Sequence, residues 1–271
     1  MRNSRKFIGL VWLIMPVMAA IAFFVTLKAQ QQGSARSQND RSLDEILAQL
    51  PIADFYAQPP RDPEKRQRRQ ERNDRHNFSG GPHQPPVLNE NMESVLLNLP
   101  LSHGPEEPAI PSTTSDAIVL GSITDQHAYI SSDKTSVYSE VKVKVEEVLK
   151  AEPRYPLTTG STFEAERPGG AVRFPSGKIL RRGFLGRNLP QQGHRYLLFL
   201  IYNEEGQNFT ILTGYKISAG HISPLDGVPE SKEGFTQFRS YENFRGVEAS
   251  AFLQTVRAAI NNQHSTPNGR G

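Results

Sequence analysis

The chain has 271 residues, 37% of them hydrophobic, a formal net charge of +3 and no cysteine. The missing cysteine excludes disulfides, thiol catalysis, cysteine-based zinc sites and lipid attachment through an N-terminal cysteine. A mean hydropathy of −0.51 and a pI near 9.1 describe a polar chain that is not a polycation as a whole.

The N-terminus reads MRNSRKFIGLVWLIMPVMAAIAFFVTLKAQQQ. Arg2, Arg5 and Lys6 precede an uncharged apolar stretch over residues 7–27, close to the roughly 20 residues a membrane helix needs and longer than an ordinary signal h-region. Leu27-Lys28-Ala29 is a poor cleavage site. The expectation is an uncleaved signal anchor over 1–28, crossing the membrane through 7–27, with the basic residues in the cytoplasm and the rest outside. Cleavage and secretion is the alternative. Export without cysteine points to a bacterial envelope protein.

Residues 29–111 are dominated by Gln, Asn, Arg, Pro and Ser, too poor in apolar surface to offset the entropy of ordering. They are expected to be a mostly disordered linker with two short amphipathic helices, SLDEILAQL and NMESVLLNLP, each marginal alone. Between them lies RDPEKRQRRQERNDRH, residues 61–76. Its cations are interrupted by Asp62, Glu64, Glu71 and Asp74, and it holds no aromatic residue on which a base could stack. It reads as a solvated spacer segment, with attraction to anionic surfaces as the second reading.

From residue 112 to 228 the texture is that of a β domain. DAIVLGSI and STFEAER are short strands, and TSVYSEVKVKVEEVLKAE alternates Val137, Val141, Val143 and Val145 with Tyr138, Glu140, Lys142 and Lys144, a buried face against a wet one. HRYLLFLIYN is apolar on both faces, as a strand covered on each side must be. NFTILTG and YKISAGHIS predict two more strands, and Pro168-Gly169-Gly170 a turn. Residues 229–271 hold a C-terminal helix and tail; Val247, Ala251, Phe252, Val256, Ala259 and Ile260 form its stripe, expected over an open barrel end. The fold class is mainly β: a small OB-like barrel or sandwich with a C-terminal helix.

The order of SDAIVLGSI, SEVKVKVEEVLKAE, a Pro-Gly-Gly loop and GHRYLLFL resembles the netrin-like/TIMP-like branch of OB-fold barrels, as in exported bacterial proteins of uncharacterised role. Those motifs are structural and cover about 112–223. The resemblance implies a barrel and no activity; metalloprotease inhibition through an N-terminal Cys is not implied, because the chain has none.

The seven histidines show no metal-binding spacing, and no nucleophile motif is in context, so neither a catalytic residue nor a cofactor or metal is expected. One basic loop, AVRFPSGKILRRGFLGRN, gathers Arg173, Lys178, Arg181, Arg182 and Arg187 with Phe184, a candidate surface for an anionic ligand. The sequence therefore predicts a non-enzymatic, membrane-tethered binding or scaffolding protein, its C-terminal domain periplasmic and its partner an envelope protein or anionic envelope polymer. Two rivals are an envelope-polymer hydrolase with a scattered site and a nucleic-acid-binding OB protein. Nucleic acid is the disfavoured partner, since an exported domain does not meet the genome.

Overall fold

A computed structural model describes residues 49–77, 85–97, 108–184, 186–227 and 239–264. The anchor expected over 7–27 and most of SLDEILAQL lie outside the described residues. Among the described residues no helix is long and apolar enough to cross a membrane. Those from Leu50 onward belong to one compact unit.

The chain is mainly β. Its strands are β1 Ile52–Asp54, β2 Val95–Leu97, β3 Ala117–Ile130, β4 Val137–Ala151, β5 Thr162–Pro168, β6 Gly170–Arg173, β7 Ile179–Phe184, β8 Arg195–Asn203, β9 Asn208–Ser218 and β10 His221–Pro224; its helices are α1 Pro63–Arg75, α2 Arg239–Glu242 and α3 Ala249–His264. One sheet has the order β10-β9-β5-β4-β3-β8, and β9 also pairs with β8. A second, four-stranded sheet has the order β1-β6-β7-β2.

The alternation in β4 is expressed as read. Val141, Val143 and Val145 are buried and Lys142 and Lys144 exposed. Val141 and Val143 join Val119, Ile123, Leu198, Leu200, Phe209 and Ile211 in one apolar core. β8 is covered on both faces, as its sequence required: Tyr196, Leu198 and Leu200 face that core, and Leu197 and Phe199 face a second one with Ile118, Tyr215 and the α3 residues Phe252, Val256 and Ile260. Burying each of those three side chains is worth about 1.5–3 kcal/mol. Helix α3 thus lies on the β3, β8, β9 and β10 strands rather than over a barrel end, and Ala251, expected in its stripe, is exposed. Three register shifts along the β3–β4 ladder bend this long pair. At Gly121 a Cβ would stand 2.7 Å from the Lys144 carbonyl oxygen, so only glycine lets the strands approach there.

Four expectations are corrected. NFTILTG and YKISAGHIS are not divided at Gly214: β9 runs through it, and the chain turns at Ala219 and Gly220, both with positive φ (50° and 78°). NMESVLLNLP is not a helix where it is described; Val95–Leu97 form β2, parallel to β7. Hydrogen bonds offered by the β7 edge outweigh the weak local helix signal. The folded unit begins near Leu50 rather than 112, because β1, α1 and β2 of the expected linker are all built into it. The basic run, finally, is not a solvated spacer.

Candidate functional site

The local chemistry of residues 61–76 specifies a helix. Asp62 is the N-cap, its Oδ1 accepting from the Glu64 N–H at 2.9 Å, and Pro63 occupies the first turn, where its missing N–H costs nothing. Arg72 and Arg75 lie in the last turn, favourable to the helix dipole. After Pro63 the helix carries no apolar side chain. It is held by a ladder of three arginines at i, i+3 and i+6.

Each rung meets a carboxylate on the outer face of β4 and β5, where Glu140 pairs in register with Glu166 and Lys142 with Glu164. Arg69 grips Glu140 with both guanidinium nitrogens, at 2.5 and 2.9 Å. Arg72 reaches Glu164 at 2.6 Å and Glu140 at 3.2 Å, and its Nε donates to the Gly206 carbonyl at 2.9 Å. Arg75 pairs with Glu166, which is fully buried and also accepts from Asn208 Nδ2 at 2.6 Å. Past the helix, the His76 ring stacks on Tyr138, centroids 4.0 Å apart. Tyr138 donates to Asn73 Oδ1 at 2.8 Å. Tyr138 and Glu140, expected on the wet face of β4, are buried because α1 covers them.

The electrostatics follow from that pairing. Burial works against the charge of Arg69 and Arg72, and the Glu140 carboxylate, with Glu164 for Arg72, more than offsets it, so both are held more firmly protonated than an ordinary arginine. Burial disfavours ionised Glu166, yet His76, Arg75 and Asn208 overcome it and hold its pKa below the usual carboxylate value. For Glu164, burial is likewise overcome, by Arg72 first and then Arg69 and Lys142. Burial pushes the Tyr138 and Tyr129 hydroxyls up. Gly206 completes the dock: a Cβ there would meet Arg75 Nη2 at 2.3 Å and Arg72 Cγ at 2.9 Å.

Beside α1 lies an open cleft of about 490 Å³ between the β1–α1 loop, the helix and the β3–β4 turn. Arg69 caps its Tyr129 wall, the guanidinium carbon 3.4 Å from the ring centroid. Lys134 stands on the opposite lip with its ammonium 4.9 Å from the Phe55 ring and 5.7 Å from Tyr56. Lys134 has a φ of 57°, a left-handed conformation a side-chain-bearing residue adopts only when its surroundings impose it. They do. The Lys134 carbonyl accepts from Leu88 N–H at 2.8 Å, its N–H donates to the Ser131 carbonyl at 2.9 Å, and Asp133 Oδ1 collects Ser131 Oγ at 2.6 Å and Thr135 Oγ1 at 2.8 Å.

The basic segment read as a loop is built on the β6–β7 hairpin. Arg173 sits opposite Ile179 near the turn and Arg182 opposite Gly170 at the far end. Arg173 faces Asp54 at 3.6 Å, and the Lys178 ammonium donates to the Glu90 carbonyl. Arg181 and Arg182, as neighbours on a strand, point to opposite faces. The Arg181 N–H takes Ser94 Oγ at 2.9 Å; Arg182 is half-buried beside Met92 Sδ at 3.0 Å, and burial lowers its pKa. Arg187 bridges to the backbone of Phe184 and Asp226, and Phe184 is half-buried. Among the described residues no cluster of three or more His, Cys, Asp or Glu could hold a metal ion.

Sequence reading missed Arg69, Arg72, Arg75, Glu140, Glu164, Glu166 and Lys134. A signal was present in the Asp-Pro-Glu helix start and the three-residue arginine spacing. No protein-family model and no curated protein matches this chain.

Proposed function

We propose that the chain is a non-enzymatic binding or scaffolding protein of the bacterial envelope, anchored through residues 7–27 with its folded unit outside the inner membrane. One observation carries the binding half of this reading. The strands β3, β4, β5, β9 and β8 pair in succession, β8 pairs in turn with β3, and β5 and β9 run parallel. That connectivity suits a five-stranded OB-like barrel, in keeping with the netrin-like resemblance of the sequence. OB barrels commonly bind ligands on the face of their second and third strands and on the loops joining the first to the second and the fourth to the fifth. Here those places correspond to the β4–β5 face, filled by α1, the β3–β4 turn that carries Lys134, and the β8–β9 turn that receives Arg72. The cleft beside α1 borders that covered face and opens to solvent.

The envelope half rests on the apolar stretch and its flanking charges. Protease digestion of intact spheroplasts, with the folded unit followed by antibody, tests it. Digestion from outside with the fragment retained on membranes is expected. Protection until lysis would invert the topology and return nucleic acid as the leading partner.

A further inference from the structure

Two cations on the lips of the cleft have no carboxylate within ion-pair distance among the described residues. Lys134 is one. Arg66 is the other: its guanidinium donates only to backbone carbonyls, Pro60 at 3.1 Å and Arg61 at 3.2 Å. Both are exposed. The arginines of the ladder are neutralised one for one; these two are not. Between them the wall is aromatic, Phe55 and Tyr129. Asn73, Gln70 and Ser132 add amide and hydroxyl groups, Gln70 Nε2 donating to Ser132 Oγ at 2.9 Å. A volume near 490 Å³ falls within the roughly 300–1,000 Å³ of small-molecule sites.

We infer that this cleft binds a short carboxylate-bearing oligosaccharide of the uronate type. This deepens the binding reading above and rests on it. The lip cations meet carboxylates, aromatic faces meet the C–H faces of sugar rings, and the amides and hydroxyls meet sugar hydroxyls. A nucleic-acid strand fits less well, because the Asn73, Gln70 and Ser132 side chains suit the hydroxyls of a sugar ring more than a phosphodiester backbone. The fixed backbone at Lys134 sets the root of its side chain before the ligand arrives, so binding needs little ordering of the turn.

The test is calorimetric titration of the detergent-solubilised full chain with trigalacturonate, maltotriose and oligothymidylate. Trigalacturonate should bind and maltotriose should not. Lys134→Asn removes the charge and keeps a residue tolerant of the left-handed backbone; Arg66→Gln leaves the ladder intact. Each should weaken trigalacturonate binding at least about tenfold, the loss of one charge-assisted contact. Equal affinity in parent and both variants overturns the inference, as does tighter binding of oligothymidylate, as does a loss confined to Arg181→Ala/Arg182→Ala. Because topology is read separately in spheroplasts, failure of the cleft and failure of the envelope reading are distinguishable.

Discussion

Arg72 and Glu140 are 68 residues apart in the chain and 3.2 Å apart in space, with 7% and 6% of their side chains exposed. Arg72 is shared with Glu164, and Glu140 with Arg69. A helix without apolar side chains is thus held by a buried relay of charge.

Removing one partner of a buried ion pair costs about 3–5 kcal/mol when the other stays buried. Here the helix can leave, so its arginines return to water and the loss is confined to docking. Glu140→Gln is therefore expected to open α1 while the strands stay folded. Each ~1.4 kcal/mol lost raises the open population tenfold. Limited trypsinolysis checks it: cleavage within 61–75 should accelerate at least about tenfold, with a stable fragment remaining. An unchanged cleavage rate would show that the ladder does not hold the helix.

Docking should also fail in acid. The pKa values of Glu164 and Glu166 are depressed in the folded chain, against an ordinary value of 4.5. The stability they contribute is fully present above that value and is lost as pH falls through the lower folded ones. Amide exchange of residues 63–75 should stay slow at pH 6 and lose protection progressively below about pH 4.5, ahead of the β8 amides. Loss of α1 protection at neutral pH would contradict this assignment.

A second buried pair lies away from α1. Arg167 Nη2 stands 2.5 Å from Asp226 Oδ2, both 2% exposed, and the same nitrogen donates to the Leu212 carbonyl at 3.0 Å. Neither can escape to water without opening the sheet. Asp226→Asn is expected to cost about 3–5 kcal/mol, read as a shift in the urea midpoint, whereas Arg167→Met with Asp226→Leu should recover much of it.

Phe252→Ala should destabilise the chain by about 3–5 kcal/mol, because Phe252 is 1% exposed and packs 4.5 Å from the Tyr215 ring centroid. Thermal unfolding measures it. Ala251→Ser, one residue earlier and exposed, should leave stability within about 0.5 kcal/mol of the parent.

How far these features were legible follows the range of the interactions behind them. Val141, Val143 and Val145 face the core because side chains alternate along a strand, and the two-sided run of β8 had to be covered on both faces; both rules are local. The close of the chain as an apolar-striped helix was local as well. The arginine ladder was not. Arg69, Arg72 and Arg75 look like a solvated run until Glu140, Glu164 and Glu166, some 70 to 90 residues later, are seen to share a face with them. The sequence determined the alternation from Val141 to Val145, the two-sided cover of β8 and the terminal helix. Only the tertiary structure decided that a charged segment docks one face on buried carboxylates, that β2 is a strand, and that Lys134 and Arg66 line one cleft without a carboxylate partner. Charge pairing acts through space, and no local pattern encodes which carboxylate an arginine will meet.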